Sequence, residues 1–148
     1  MDHGPGAIAP LFKTCTGCGA EAGHHAGVIV IDGALHWSVE GACEACGSDE
    51  VECGRGEVPE HVSAALIAAH GPVVLRAEPL PGAAGARALK TLREVFGLPL
   101  AEVRGRLRAL AAEGERGTGP ETALLAARLR AVGFAVTLEA GEPTGEER

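Results

Sequence analysis

The stretch that decides the fold reads Cys15-Thr16-Gly17-Cys18-Gly19 and, further on, Cys43-Glu44-Ala45-Cys46-Gly47. These are two copies of Cys-x-x-Cys-Gly, with 24 residues between Cys18 and Cys43. Two residues between cysteines let the backbone curl until both thiolates face one point. The glycine that follows accepts the left-handed conformation such a tight turn demands. Two such knuckles offer four sulfurs to one ion, the donor set of a closed tetrahedral zinc site. Between them run Val28-Ile29-Val30-Ile31, then Asp32-Gly33, then Leu35-His36-Trp37-Ser38-Val39. Asp-Gly between two β-rich runs predicts a hairpin, which brings the knuckles together.

This pattern resembles a zinc ribbon over roughly residues 13–50, with residues 13–53 as the whole unit and Cys15, Cys18, Cys43 and Cys46 as metal ligands. One structural zinc is the expected cofactor. Two other readings stand beside it: a redox dithiol, which usually sits on a strand–helix unit not seen here, and unpaired free thiols. Cys53, which also precedes a glycine, is the spare; it is either a free thiol or a substitute ligand in a shifted site. His24 and His25 are adjacent, so in an extended chain they point to opposite faces; they read as exposed loop residues. His36 reads as a packing residue. Trp37, the only tryptophan, is either a half-buried plug of the ribbon or a binding anchor.

At 148 residues the chain has the size of one domain or two very small ones, and 46% hydrophobic with 22% charged residues is ordinary for a globular protein. Only four aromatics occur, Phe12, Trp37, Phe96 and Phe134. The core must therefore be aliphatic, and little is left on which to stack nucleobases. No run approaches the roughly 20 apolar residues of a membrane span, and residues 1–12 lack the pattern of a signal peptide. The expectation is a cytoplasmic protein, where cysteines serve as ligands or free thiols rather than disulfides. The net charge of −7 is uneven. Residues 1–72 carry two basic side chains, Lys13 and Arg55, against ten acidic ones, whereas residues 73–148 carry eleven against ten. An acidic half argues against binding a phosphate backbone.

The stretch from Ser48 to Glu57 reads as polar and turn-rich. Pro59 opens a helix that ends at Gly71, giving a connecting helix over 57–71. From there the reading is strand (Pro72–Arg76), helix (Ala83–Phe96, capped by Gly97), helix (from Leu100), a loop or short strand within Glu113–Gly119, helix (from Pro120, capped near Gly133) and strand (Phe134–Leu138). Leu89, Leu92, Val103, Leu107, Leu110, Leu124, Leu125 and Leu129 form the periodic apolar stripes. The fold class is α+β, an N-terminal ribbon plus a small β-α-α-β-α-β domain over 72–140, with residues 141–148 as a loose tail.

One segment carries more. Ala88-Leu89-Lys90-Thr91-Leu92-Arg93-Glu94-Val95-Phe96-Gly97-Leu98-Pro99-Leu100-Ala101-Glu102-Val103-Arg104 resembles the helix–turn–helix of the C-terminal domain of the bacterial ribosomal stalk protein. Leu129–Leu138 is similar to that family's last helix, turn and strand, and Val73-Val74-Leu75 to its first strand. The resemblance covers about residues 72–140. It implies a protein-binding face on the first two helices, at Arg87, Lys90, Arg93 and Arg104, with translation factors or ribosome-associated proteins as partners. Ala101 replaces a family lysine, and a cysteine-bearing segment stands where the family has a helical dimerisation region. Read from the residues alone, the same basic positions also suit a solvated helix surface.

No phosphate-binding glycine loop, nucleophile elbow or zinc-protease motif occurs. A closed four-sulfur site has no open position for substrate. The expectation is therefore a non-enzymatic, zinc-containing protein-interaction module, translation-associated or adaptor-like. A second reading is an acidic immunity or inhibitor protein that neutralises a basic enzyme or toxin. A zinc-ribbon transcription or RNA-associated factor ranks below both, for want of basic residues in the ribbon.

Overall fold

Alternation of small or apolar residues with polar ones governs the first 55 residues. The computed structural model, which describes the backbone of residues 3–141 and the side chains from Gly6 to Gly141, turns that alternation into a sheet. Strands β1 (His3–Thr14), β2 (Glu21–Ile31), β3 (Ala34–Ala42) and β4 (Asp49–Arg55) form an antiparallel meander in the order β1-β2-β3-β4. On β2 the even positions, Ala22, His24, Ala26, Val28 and Val30, face inward and are buried. The hairpin joining β2 to β3 turns at Asp32 (φ 51°) and Gly33 (φ 76°), and two successive positive φ angles match the right-handed twist of the flanking strands.

Two features differ from the sequence reading. The sheet begins ten residues before Lys13, because β1 pairs with β2 from His3↔Ile31 to Thr14↔Glu21. The polar stretch after Ser48 is a strand, β4, held to β3 from His36↔Arg55 to Ala42↔Asp49. As an edge strand with one row of free backbone groups, β4 tolerates charged side chains that propensity disfavours. His24 and His25 consequently lie on β2, not in a loop. His24 is buried and His25 exposed, as two adjacent residues of an extended chain must be.

Helix α1 (Glu60–His70) starts after Pro59 and stops at Gly71 (φ 81°). It lies across β1 and β2 and buries Val62 and Leu66 against Ala9, Ala26, Val28, Val39 and Val58. Each of those two side chains contributes about 1.5–3 kcal/mol by leaving water.

The remainder runs β5 (Val73–Ala77), α2 (Gly82–Phe96), α3 (Leu100–Ala112), β6 (Glu115–Gly117), α4 (Gly119–Ala131) and β7 (Val136–Ala140). A second sheet has the order β6-β5-β7, both pairs antiparallel. The core between this sheet and its helices is built on Leu75, Leu92, Val103, Leu110, Leu129 and Phe134. Gly97 ends α2 in the left-handed conformation (φ 66°), its N–H bonding to Arg93 O. Gly141 N–H bonds to Pro72 O, and the rest of the expected loose tail, residues 142–148, lies outside the described residues.

Helix α4 also lies against β1, β2 and β3, so the halves share packing. Glu121 Oε1 accepts from Ser63 Oγ on α1 (3.0 Å), and Arg128 donates to Gly33 O in the β2–β3 turn (3.1 Å). Among the described residues no helix is long and apolar enough to cross a membrane.

Candidate metal centre and helix groove

The first knuckle is the turn between β1 and β2, the second the turn between β3 and β4. Each closes by the same pair of backbone bonds. Cys15 N–H donates to Ala20 O and Gly19 N–H to Cys15 O; Cys43 N–H donates to Ser48 O and Gly47 N–H to Cys43 O. Gly19 and Gly47 adopt φ of 81° and 79°, the left-handed conformation the motif requires. The β2–β3 hairpin then carries the two turns to one end of the sheet.

The four sulfurs of Cys15, Cys18, Cys43 and Cys46 all lie within 4.8 Å of one another. Cys15 Sγ is 3.7 Å from Cys46 Sγ, and Cys18 Sγ is 3.7 Å from Cys43 Sγ. A tetrahedron with metal–sulfur bonds of about 2.3 Å has edges of about 3.8 Å, so this donor set fits a thiophilic ion. The separations are far beyond a disulfide of about 2.05 Å. Cys15 and Cys43 are buried, whereas Cys18 and Cys46 are exposed at the tip. Cys53, on the exposed face of β4, stands outside the cluster.

The thiols are not equivalent. Backbone N–H groups of Cys18 and Gly17 lower Cys15 from 9.0 to about 6, overcoming its desolvation. The Ser48 hydroxyl, 2.7 Å from Cys46 Sγ, and the Ser48 N–H lower Cys46. Hydrogen bonding at Ala20 lowers Cys18, but its contacts with the other sulfurs, together with partial desolvation, push it up to about 11. One thiol that readily ionises beside another that resists is what crowded sulfurs produce, because each thiolate formed raises the cost of the next.

A polar network that sequence reasoning missed lies beside the first knuckle. Glu50 Oε2 accepts from Thr16 Oγ1–H (2.7 Å) and Thr16 N–H (3.2 Å). Lys13 Nζ is 3.6 Å from Glu50 Oε1, and His24 Nε2 is 3.4 Å from it. These contacts hold Glu50 down at about 2, the Thr16 hydroxyl and N–H first and Lys13 after them, against desolvation. Only strand register reveals this cluster, because its members are scattered over 38 residues of sequence.

Trp37 packs with the ribbon core over Gly54, where an added Cβ would stand 2.7 Å from the indole. It fills the plug role rather than that of an exposed anchor. His36 is half-buried on the opposite face.

In the second half, α2 and α3 border a groove of about 770 Å³ with Leu80, Leu89, Leu107 and Phe134 on its floor and Arg104 and Arg108 on its walls. Of the basic residues singled out in the sequence, Arg104 lines this groove. Arg93 follows Leu89 by four residues on the same side of α2, and Lys90 borders it by its four-residue spacing from the lining Ala86. Arg87, two residues from Leu89, falls on the far side of the helix. Arg106 turns away from the groove; it makes two hydrogen bonds to Glu115 (3.0 and 2.8 Å) and stacks over Phe96.

Compared with protein-family models, with curated proteins and with solved structures, the chain has no match.

Proposed function

We propose that the chain is a non-enzymatic protein-interaction module in which one structural zinc, held by Cys15, Cys18, Cys43 and Cys46, builds the first sheet while α2 and α3 receive a protein partner. The observation that carries the reading is the four-sulfur cluster with its 3.7 Å edges. Such a site is coordinatively closed, so it stabilises structure and leaves no position for substrate or activated water. Zinc supplies folding free energy that a sheet built on Ala9, Ala22, Ala26 and a few valines lacks.

The groove between α2 and α3 supports the partner role. It combines an apolar floor with Arg104 and Arg108, and it lies on the two helices whose sequence resembles the stalk-protein motif. The partner class that this resemblance suggests is a translation factor, and a cytoplasmic site of action goes with it. The test is calorimetric titration of the zinc-loaded chain with purified elongation factors. Binding is expected, and it should be lost in the double variant Arg104→Glu, Arg108→Glu, whose changes fall on helix surface. Absence of binding in the parent chain rejects the translation-associated role.

One observation favours a second reading. Glu21, Glu40, Glu44, Asp49, Glu52, Glu57 and Glu60 are all exposed on the first half. A surface of this sign steers toward a basic active site, as an inhibitor or immunity protein does. Tight binding to a basic nuclease that weakens as salt rises would support this alternative, and salt-independent binding would reject it.

A further inference from the structure

The row of residues His24, Gly41 and Glu50 crosses the inner face of the first sheet, because His24 pairs with Gly41 and Gly41 with Glu50. A side chain at the middle position would fill the row; a Cβ on Gly41 would stand 2.9 Å from the His24 ring and 2.5 Å from Gly23 O. With glycine there, the His24 imidazole reaches across β3. Its Nδ1 lies 3.1 Å from Ala22 O and its Nε2 3.4 Å from Glu50 Oε1, with the side chain only 1% exposed. Both Nε2 and Oε1 are buried and neither makes a well-aligned hydrogen bond; Nε2 faces Oε1, and Oε1 also faces Lys13 Nζ at 3.6 Å. The second carboxylate oxygen is committed to Thr16, inside the Cys15–Cys18 turn.

We propose that Glu50 is the positioning residue of the metal centre, clamping the first cysteine knuckle, through Thr16, to the strand that leaves the second knuckle. Resting on the reading of the four cysteines as a metal site, the inference adds what sets their spacing. Apart from the sulfur cluster itself and the Cys15 Sγ–Ser48 Oγ contact (3.9 Å), this carboxylate is what ties the two knuckles together across 34 residues of sequence. Two charge-assisted hydrogen bonds, donated by Thr16 N–H and Oγ1–H and accepted by one carboxylate oxygen, fix both the position and the orientation of the turn. Lys13 and His24 hold that carboxylate in place from β1 and β2. Groups that orient ligands from outside the coordination sphere typically govern about 10- to 100-fold in metal affinity.

The experiment measures Co²⁺ and Zn²⁺ binding to the full chain by competition with a chromophoric chelator, reading the visible Co²⁺ bands as well. Glu50→Ala is expected to weaken binding at least tenfold and to alter the Co²⁺ band intensities, which report ligand geometry. Glu50→Gln, which keeps an acceptor for Thr16 but loses the charge, should fall between. Glu52→Ala, the next inward carboxylate on β4, which lies near Lys13 alone, should stay within twofold of the parent. A destabilising but remote change in the same sheet, Val39→Ala, should lower the unfolding midpoint without altering the Co²⁺ bands. If Glu50→Ala binds within twofold of the parent with unchanged bands, the positioning role is overturned. If Glu50→Ala does not fold, Glu50→Gln and Thr16→Val decide, and unchanged affinity and bands in both overturn it equally. A parent chain that binds neither ion overturns the metal reading itself, which is a different failure.

Discussion

Gly41 on β3 and Gly54 on β4 each keep space for a ring, one for His24 and the other for Trp37. At Gly54 a methyl would come within 2.7–2.8 Å of three indole atoms, so Gly54→Ala must move Trp37 or the edge strand. The expected cost is about 1–3 kcal/mol, read from urea unfolding followed by the fluorescence of the single tryptophan. Glu50 makes a pH prediction with a definite sign. Its carboxyl is lowered from 4.5 to about 2 in the fold, so its stabilisation is fully present above about 4.5 and is lost as pH falls through about 2. The difference in urea midpoint between the zinc-loaded parent and zinc-loaded Glu50→Gln should be constant above pH 5 and shrink on acidification. A difference that grows in acid would contradict this. At this scale the cysteine knuckles and their glycines were legible in the sequence, because their geometry is set within five residues. Glu50 was not, because its partners come from other strands.

Among the elements, α4 shows how a helix start serves two purposes. Thr118 Oγ1 accepts from Glu121 N–H (3.2 Å), satisfying a free donor of the first turn, and itself donates to Glu121 Oε1 (2.8 Å). The same carboxylate oxygen accepts from Ser63 on α1, so the cap also ties two helices. Thr118→Ala should cost about 1–2 kcal/mol, and the loss should be non-additive with Ser63→Ala in a double-mutant cycle. Additive losses would show that the shared acceptor does not couple the helices. The helices were readable from apolar residues at three- and four-residue spacing and from Pro59, Gly71 and Gly97. Strands β1 and β4 escaped that reading for physical reasons. Pro5, Pro10 and two glycines dilute the β signal of β1, and Asp49, Glu50 and Glu52 give β4 the composition of a loop. Edge position excuses both, since each needs a pairing partner on one side only.

For the molecule as a whole, the apolar interior is divided. The core on Leu75, Leu92, Val103, Leu110 and Leu129 draws on residues 75–136 among the described residues, while Ala9, Ala26, Val28, Val39, Val62 and Leu66 form another, with Cys15, Ala22 and Cys43 beside it. Metal removal should therefore act unevenly. A strong chelator is expected to abolish the Trp37 near-ultraviolet signal while much of the helical far-ultraviolet signal survives. Simultaneous loss of both would mean that contacts from α4 to β1, β2 and β3 make the halves one cooperative unit.

What the sequence alone determined is whatever depends on neighbours along the chain. The two Cys-x-x-Cys-Gly turns, the Asp32-Gly33 hairpin and the helix boundaries at Pro59, Gly71 and Gly97 all rest on local backbone chemistry. The tertiary structure decided everything that depends on register and packing. It placed His24 across the gap at Gly41 to meet Glu50, put Arg104 and Arg108 beside one groove while sending Arg87 to the far side, and set α4 against a sheet distant in sequence. A slip of one residue in a strand reverses every side chain on it. Such arrangements are therefore fixed only when the whole chain has folded.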